Sequence, residues 1–335
     1  MTYLILALGF LFGAALQWGR LNRFDTISGM ATLEDFTVAK ALMVAIGAGM
    51  ILLNLEIFLG GAAYHVKPFL LGGVALGGVI FGIGMAILGY CPGTLAVSLG
   101  EGSLDALFGI LGGLLGGLAY TLVQPQLQGI SGPDLGKLSL HSALGGQPPV
   151  FFLVVVLLGA VLVWGAFRLN RLEAAGGRRW LYAGLGLAVL DGIVFATSLT
   201  GRPIGASTSY PYLADKLTGA TGNAYFTRIT GSGGWELVFL AGAVLAGLVM
   251  SVAGGTFQPT LIHDRWRRYH GSAAGKRMGY ALLGGFVMLF GARMAGGCTS
   301  GHILSGGMQL AVSSWVFAVF VFAGLLVTGK LFYRR

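Results

Sequence analysis

Long apolar stretches separated by short polar or Gly/Pro-rich breaks make up this chain. Long stretches without Asp, Glu, Lys or Arg include residues 69–100, 106–133, 149–167, 237–262 and 294–329. About 20 consecutive apolar residues are enough for a helix to cross a bilayer. Taking every apolar run between polar breaks as a helix predicts nine membrane spans, near residues 2–18, 38–60, 69–90, 104–124, 149–168, 180–199, 236–254, 278–295 and 311–332.

The composition excludes an ordinary soluble domain. Hydrophobic residues make up 55% of the 335 residues and charged residues 10%, against roughly 45–50% and about 25% in soluble proteins. There are 59 glycines, and small residues let membrane helices approach each other closely. We therefore predict an all-α polytopic membrane protein, with residues 1–335 forming a single transmembrane domain of closely packed and interrupted helices.

The positive charge of the chain is distributed unevenly over the nine predicted spans. The formal net charge is +9, and 15 of the 21 Lys and Arg residues fall on one side of the predicted membrane. Cytoplasmic loops carry an excess of Lys and Arg, so we expect the N-terminus outside and the C-terminus in the cytoplasm. The excess charge is then explained by topology and by contact with anionic lipid, and no nucleic-acid partner is expected.

An internal repeat is visible when the chain is shifted by 207 residues. This register pairs Cys91 with Cys298, the only two cysteines, and also Ser98 with Ser305. The paired segments lie in the third and eighth predicted spans, and an odd separation means that the two copies cross the membrane in opposite directions. We predict an inverted repeat, with copies at residues 1–124 and 180–332 and a connector helix at 149–168.

The segments around the two cysteines are unusual for water-exposed turns. A Pro-Gly pair directly follows Cys91, and Gly and hydroxyl residues surround Cys298, so a helix is expected to stop at each cysteine. Unwound backbone is tolerated at membrane depth where protein buries it or where it lines a cavity. We expect two re-entrant loops that form an hourglass, with half-helix N-termini that favour an anion. Its candidate binding residues are Cys91, Pro92, Gly93, Thr94, Cys298, Thr299, Ser300, Gly301 and His302.

Four further polar residues are candidates for the same pathway. Arg293 precedes Cys298 by about one helical turn, and an intramembrane charge is a functional candidate by default; the alternative is an arginine that reaches back to the outer interface. Arg20 and Asn22 follow the first span, and Arg202 follows the sixth, with surface solvation as the alternative. The histidines lack the spacing of a metal site, so neither a metal nor a cofactor is expected.

Three segments resemble a known protein family. Residues 81–94, 201–205 and 290–302 are similar to the YeeE/YedE family of bacterial inner-membrane sulfur-compound transporters, and the likeness covers essentially the whole chain. The resemblance implies an hourglass of inverted repeats that takes up thiosulfate, with the thiols of Cys91 and Cys298 contacting the sulfane sulfur. It also implies a small TusA-like sulfur-handling protein as a cytoplasmic partner.

One position departs from the family pattern. Members that take up thiosulfate commonly carry a third cysteine in a Gln-x-x-x-x-Cys stretch, and here that stretch runs from Gln17 to Asn22. Asn can hydrogen-bond an oxyanion but offers no thiol. We therefore predict transport of thiosulfate or a related sulfur anion. The alternatives are a membrane thiol oxidoreductase or sulfurtransferase, and an aquaporin-like pore for small solutes.

Overall fold

The fold is known from a computed structural model that describes residues 1–144, 147–173 and 177–334. Every regular element in these ranges is a helix. The helices are α1 (Thr2–Trp18), α2 (Phe24–Ala31), α3 (Thr37–Phe58), α4 (Leu71–Leu88), α5 (Pro92–Gly100), α6 (Leu104–Val123), α7 (Gln128–Ser131), α8 (Leu140–Leu144), α9 (Pro148–Leu172), α10 (Arg179–Phe195), α11 (Ser209–Thr218), α12 (Ala224–Ala253), α13 (Asp264–His270), α14 (Ala274–Met294), a π-helix (Thr299–Leu304), α15 (Ser305–Met308) and α16 (Val312–Phe332).

Seven helical segments are long and apolar enough to cross a membrane, which confirms the all-α polytopic class. They cover Thr37–Phe58, Leu71–Gly100, Leu104–Val123, Pro148–Leu172, Ala224–Ala253, Ala274–Met308 and Val312–Phe332. The first and sixth predicted spans correspond to α1 and α10, which have 17 residues each. The count of nine spans therefore stays a prediction.

The helix that contains the seventh predicted span is longer than that span. We expected the span to begin near residue 236, and α12 begins at Ala224 and runs through a Gly- and Ser-rich stretch. This stretch stays helical because α11 packs against it, and the ring of Tyr212 occupies the space that a side chain at Gly233 would need. The glycines in this stretch, which the sequence pattern suggests are a break between helices, instead let α11 pack closely against α12.

The centre of the molecule is a close contact between α4 and α14. A side chain at Gly77 would meet the backbone of Ala295, and one at Gly284 would meet the backbone of Leu88. Further along, a side chain at Gly84 would meet the backbone of Met288, and one at Gly291 would meet the backbone of Phe81. The partners run in opposite order along the two helices, so α4 and α14 are antiparallel and their contact is reciprocal.

The outer helices repeat this reciprocity. On one side α4 packs against α16, and on the other α14 packs against α6. In the same manner α1 packs against α12, and α10 packs against α3. Glycine makes the approach possible in each pair; for example, a side chain at Gly184 of α10 would meet the Ala41 carbonyl of α3. The connector α9 lies outside this arrangement and contacts α3 through Gly159 and Gly47.

Two short helices interrupt the long ones, and we call them half-helix A (α5) and half-helix B (the π-helix with α15). Half-helix A starts directly after Cys91, and half-helix B directly after Cys298. The 207-residue register carries Pro92 onto Thr299, the first residues of the two half-helices. The division of the chain into two inverted copies is consistent with this order and stays a prediction.

Candidate functional site

Cys91 lies at the N-terminus of half-helix A. The left-handed Gly89, at a φ of 79°, ends α4, and Cys91 itself is extended and caps the new helix. Its backbone N–H donates to the Thr94 hydroxyl at 2.8 Å, and that hydroxyl lies 3.4 Å from the Cys91 sulfur. Pro92 at the first helical position has a backbone angle that suits a helix start. The local sequence thus holds the thiol at a helix terminus of partial positive charge.

Cys298 holds the corresponding position in half-helix B. Gly296, with a φ of 78°, follows the end of α14, and Cys298 caps the π-helix. The Cys298 sulfur lies 3.2 Å from the Ser300 hydroxyl. Both cysteines are free. Two half-helices therefore each present a thiol and a hydroxyl at their first turn.

One cavity of about 60 Å³ joins the two loops. Cys91 and Thr94 line it from half-helix A, and Thr299 and Ser300 line it from half-helix B. Tyr210 donates a hydrogen bond to the Pro92 carbonyl at 3.1 Å. The remaining wall is mostly apolar and consists of Phe12, Leu16, Leu21, Ile27, Met30, Val38, Leu42, Met85, Leu187, Ile303, Leu304, Val321, Phe322 and Leu325, with Gly93.

The His302 side chain lies in the same loop and acts there as a brace. One ring nitrogen, Nε2, lies 2.9 Å from the Ala295 carbonyl oxygen, and the other, Nδ1, lies 3.0 Å from the Ser314 hydroxyl. The ring is completely buried. His302 therefore ties half-helix B to the end of α14 and to α16, and its predicted contact with a substrate stays a prediction.

Comparison with known proteins places the chain in a family. Residues 18–327 match the family described as sulphur transport. The chain belongs to this family. It is similar to two proteins named thiosulfate transporter TsuA. The first, from Spirochaeta thermophila, is 27% identical over 349 aligned residues that cover 100% of both chains. The second, from Escherichia coli, is 24% identical over 345 aligned residues that cover 98% of this chain and 93% of the relative.

The match confirms the YeeE/YedE resemblance and decides between classes of protein. The family description and the names of both relatives are those of transporters and not of enzymes. This sulphur-transport family member is thus a membrane transporter. Which of its residues meet the transported compound is a separate question, which the geometry of the loops addresses.

Asn22 does not reach the thiol cavity of this family member. It is completely buried on the far side of half-helix A, beside a polar cavity of about 170 Å³. Its side-chain amide donates to the Ser98 hydroxyl at 3.2 Å and to the Glu101 carboxylate at 2.9 Å. The residue that replaces the family's third cysteine therefore lies next to a carboxylate, about two helical turns from Cys91.

Two of the predicted arginines lie away from the thiols. Arg20 is exposed after the end of α1, where the neighbouring charges of Arg23 and Arg179 lower its pKa. Arg202 stacks its guanidinium 4.3 Å from the Trp235 ring centre and lies 3.8 Å from the Glu236 carboxylate. Neither lines the thiol cavity.

Arg293 is buried beside half-helix B. Its Nε donates to the Tyr225 hydroxyl at 2.6 Å, and Nη1 donates to the hydroxyls of Ser207 and Thr208 at 3.2 and 3.1 Å. The guanidinium is held by three hydroxyl groups, and within the described part of the chain it has no carboxylate partner. Its predicted contact with the transported compound stays a prediction.

The sequence reasoning missed Lys67. This residue precedes α4, and its ammonium donates to the Gly296 carbonyl at 2.9 Å. A side chain at Gly297 would collide with the ammonium, and one at Gly301 would lie 3.0 Å from it. The signal for it in the sequence is a lone cation directly before Pro68 and a long apolar run, on the side of the membrane that is predicted to carry few charges.

Proposed function

We propose that this sulphur-transport family member takes up thiosulfate or a related sulfur-containing anion, through a pathway lined by Cys91 and Cys298. The observation that carries the proposal is the placement of both cysteines directly before a half-helix. Cys91 lines the cavity between the two half-helices, and Thr299 and Ser300, which follow Cys298, line it from the other side. The names of the two relatives support the choice of anion.

The chemistry of the loops suits an anion with a soft terminal sulfur. Unpaired backbone N–H groups at a helix start favour negative charge. The hydroxyls of Thr94, Thr299 and Ser300 can donate to sulfonate-like oxygens, and a thiol is a weak donor to the terminal sulfur. Binding of this kind needs no covalent step, so both thiols are expected to stay free during transport.

The thiol cavity has to widen for passage. Its accessible space of about 60 Å³ is about a third of the 170 Å³ of the polar cavity beside Asn22. The half-helices are restrained by the Tyr210 hydrogen bond to Pro92 and by the His302 contacts. We propose that the described conformation is closed and that the loops move apart during transport.

The orientation in the inner membrane is part of the same proposal. The uneven distribution of Lys and Arg favours an outer N-terminus and a cytoplasmic C-terminus. Single cysteines introduced by Lys137→Cys and Arg267→Cys into a cysteine-free protein test it, because both residues are exposed. A membrane-impermeant maleimide should label the first and not the second in intact cells, and the reverse pattern would contradict the orientation.

We also propose that the two halves are inverted copies. The reciprocal contacts of α4 with α14, and the matching pairs α4 with α16 and α14 with α6, support this division. A two-fold relation between antiparallel helices produces contacts of this kind, because each contact then occurs twice with the partners exchanged. A TusA-like partner on the cytoplasmic side stays a prediction.

The test is uptake of thiosulfate labelled at its sulfane sulfur, in a sulfur-auxotrophic host without its own uptake. Uptake should fall strongly in Cys91→Ala and in Cys298→Ala. A matched control is Ser251→Ala, because this buried hydroxyl of α12 donates to a carbonyl of its own helix. Full uptake by the double Cys→Ala protein would overturn the proposal.

Two other outcomes would favour the alternative functions. Intact-mass detection of a persulfide during turnover would favour the sulfurtransferase, and uptake without competition by anions would favour a pore.

A further inference from the structure

Asp191 of α10 is a carboxyl that is completely buried against half-helix B. Its Oδ1 lies 2.9 Å from the hydroxyl of Ser305, the first residue of α15. The backbone N–H of Ile204 donates to the same oxygen at 3.4 Å. Leu187, one helical turn earlier in α10, and Leu304, the residue before Ser305, both line the thiol cavity. The carboxyl therefore lies beside the proposed pathway, at a contact between half-helix B and α10.

No cation of the described residues compensates the charge of an ionised Asp191. The carboxyl takes part in none of the ion pairs between them, and its Oδ2 has no hydrogen-bond partner among them. Burying an ionised carboxylate without a partner is so costly that such a group takes up a proton instead. The surroundings of Asp191 therefore favour the neutral acid.

The Ser305 hydroxyl gives a second, independent reason for a proton on Asp191. It lies within hydrogen-bond distance of two oxygens, Asp191 Oδ1 at 2.9 Å and the Ile204 carbonyl at 3.4 Å. A hydroxyl has one proton to donate, so beside an ionised carboxylate it satisfies only one of these two oxygens. A protonated Asp191 donates to the Ser305 oxygen instead, and Ser305 then donates to Ile204. Both contacts are satisfied when Asp191 carries a proton.

Half-helix A shows the same arrangement with a permanent donor. Ser98, which the 207-residue register pairs with Ser305, donates to the Asn22 backbone carbonyl at 2.7 Å. The Asn22 side-chain amide in turn donates to the Ser98 oxygen at 3.2 Å. Each serine thus faces one backbone carbonyl and one side chain, and in half-helix A that side chain is an amide that always carries its protons. Asp191 takes this place in half-helix B, where it can donate only in its protonated form.

The titratable groups on α10 itself, and on α1 and α3, which pack against it, leave Asp191 unpaired. Lys40 of α3 is paired with Glu173. Glu56 of α3 is an acid, and its carboxylate lies 3.6 Å from the place that a side chain at Gly192 would occupy. The remaining groups on these helices are exposed, and they are Tyr3, Arg179 and Tyr182.

The loops and half-helix B leave Asp191 unpaired as well. Arg202 lies 3.8 Å from the Glu236 carboxylate, and the Lys67 ammonium donates to the Gly296 carbonyl. The other titratable groups there are His65, Cys298 and His302, and their described contacts are with residues other than Asp191. Access of water, and not a neighbouring charge, therefore decides whether Asp191 exchanges its proton.

A proton that enters with the anion lowers the electrical cost of uptake. Thiosulfate carries two negative charges, and it moves against the membrane potential when it enters a cytoplasm that is negative inside. Each proton that accompanies the anion cancels one of these charges. A protonatable carboxyl beside the pathway supplies a place for such a proton.

We propose that Asp191 is a proton-binding site that couples uptake of the anion to entry of a proton. The carboxylate binds a proton from outer water before half-helix B closes against α10, because the closed conformation buries it. The acid gives the proton to inner water when half-helix B moves away during transport, so no other reactant is needed. The inference rests on the proposed function and names its coupling ion.

The test measures accumulation of labelled thiosulfate in liposomes that contain the purified protein, with the membrane potential clamped at zero. If one proton enters with each anion, an inward gradient of one pH unit should raise the accumulation ratio about tenfold, because one unit of pH is a tenfold difference in proton concentration. Accumulation at equilibrium does not depend on the affinity at either face, so the titration of Lys67 does not affect this ratio.

Two variants locate the proton. Asp191→Asn keeps a donor and an acceptor toward Ser305, since an amide always carries both, and its accumulation ratio should not respond to the gradient. Glu56→Gln is the matched control, because it removes a neighbouring acid that lies near Gly192 of the same helix. This control should keep the full response.

The proton is also measured without any substrate. Infrared spectra of the solubilised protein at neutral pH should contain the carbonyl band of a protonated carboxyl, which Asp191→Asn removes and Glu56→Gln leaves in place. Should Asp191→Asn fail to fold, dicyclohexylcarbodiimide, which reacts with protonated carboxyls, should modify Asp191 in the unmutated protein and remove the gradient response. An unmodified Asp191 would then overturn the inference.

The outcomes separate the coupling site from the transported compound. An accumulation ratio that ignores the gradient in the unmutated protein, or follows it equally in Asp191→Asn, overturns the inference even where thiosulfate uptake is intact. A response lost in Glu56→Gln and kept in Asp191→Asn would also overturn it. A carboxyl band that Asp191→Asn removes, in a protein that takes up no thiosulfate, supports the proton site and overturns the proposed substrate.

Discussion

Arg277 of α14 donates from Nε to the carboxylate of Asp105 of α6 at 3.0 Å, and neither side chain is exposed. Arg277 also donates from Nη2 to the Leu88 carbonyl at 2.7 Å, at the end of α4. His263 lies 3.1 Å from the other oxygen of Asp105. One ion pair thus ties three helices together at the entrance to half-helix A.

Removing one partner of this pair should destabilise the protein strongly. Arg277→Met leaves Asp105 buried without its cation, at a cost of about 3–5 kcal/mol. Thermal unfolding of the detergent-solubilised protein should show a much lower midpoint. The double variant Arg277→Met, Asp105→Leu should recover part of the loss, because no charge is then left buried. A double variant less stable than Arg277→Met would contradict this account.

The contact between α4 and α14 should not tolerate a large side chain at Gly291. Gly291→Leu would push into the backbone of Phe81 and Gly77, and we expect loss of folded protein on size-exclusion chromatography. Gly279 is a matched control, because it lies in the same helix with open space around it. Gly279→Ala should leave stability unchanged or raise it by up to about 1 kcal/mol. Normal folding of Gly291→Leu would argue against the close contact.

The two thiols should differ in reactivity. Cys91 is partly exposed, whereas Cys298 is 1% exposed. The Cys298→Ser protein keeps only Cys91, and the Cys91→Ser protein keeps only Cys298. A small maleimide should label Cys91 at least about tenfold faster than Cys298, because the rate of labelling depends on access to the thiol. Thiosulfate should slow the labelling of Cys91. Faster labelling of Cys298 would mean that the resting protein is open on the other side.

Lys67, which lies against the Cys298 loop, should make thiosulfate affinity depend on pH. Burial lowers the pKa of Lys67 to about 8; the neighbouring cations Arg293 and Arg202 also lower it, whereas Cys298 and Glu236 raise it. Lys67 is charged below this pH and loses its charge above it. The half-saturating concentration for uptake should therefore rise between pH 7 and 9, by up to about tenfold.

Lys67→Arg separates this titration from that of the thiols. A guanidinium stays charged throughout this range, so the variant should lose most of the rise. An identical pH profile in the variant and the unmutated protein would assign the dependence to another group, and would remove Lys67 from the explanation.

Uptake should fall more when a negative charge replaces Asn22 than when its amide is merely removed. Asn22→Cys removes the donors to Ser98 and Glu101, a cost of about 1 kcal/mol each, and uptake should persist. Asn22→Asp places a second carboxylate beside Glu101, where like-charge repulsion costs several kcal/mol, and uptake should fall more than about tenfold. Equal uptake by the two variants would show that the anion does not pass this cavity.

Much of the fold could be predicted because apolar length and glycine spacing are local properties. The third predicted span, 69–90, corresponds to α4 at Leu71–Leu88, and the helix stops predicted at Cys91 and Cys298 are present. The start of α12 was missed because a Gly-rich stretch predicts the end of a helix when the helix that packs against it is not known. Tyr212 packs there from a helix that lies before α12 in the chain.

The sequence by itself determined the membrane class, the family and the two cysteine loops, since hydrophobic length, Gly and Pro positions and motif spacing act over a few residues. Only the tertiary structure decided which charges are compensated. Arg277 and Arg293 are both buried arginines of α14, yet one is paired with Asp105 and the other is held by hydroxyl groups. Electrostatic pairing depends on distances of a few ångströms between residues far apart in the chain, and those distances are set by how the helices pack.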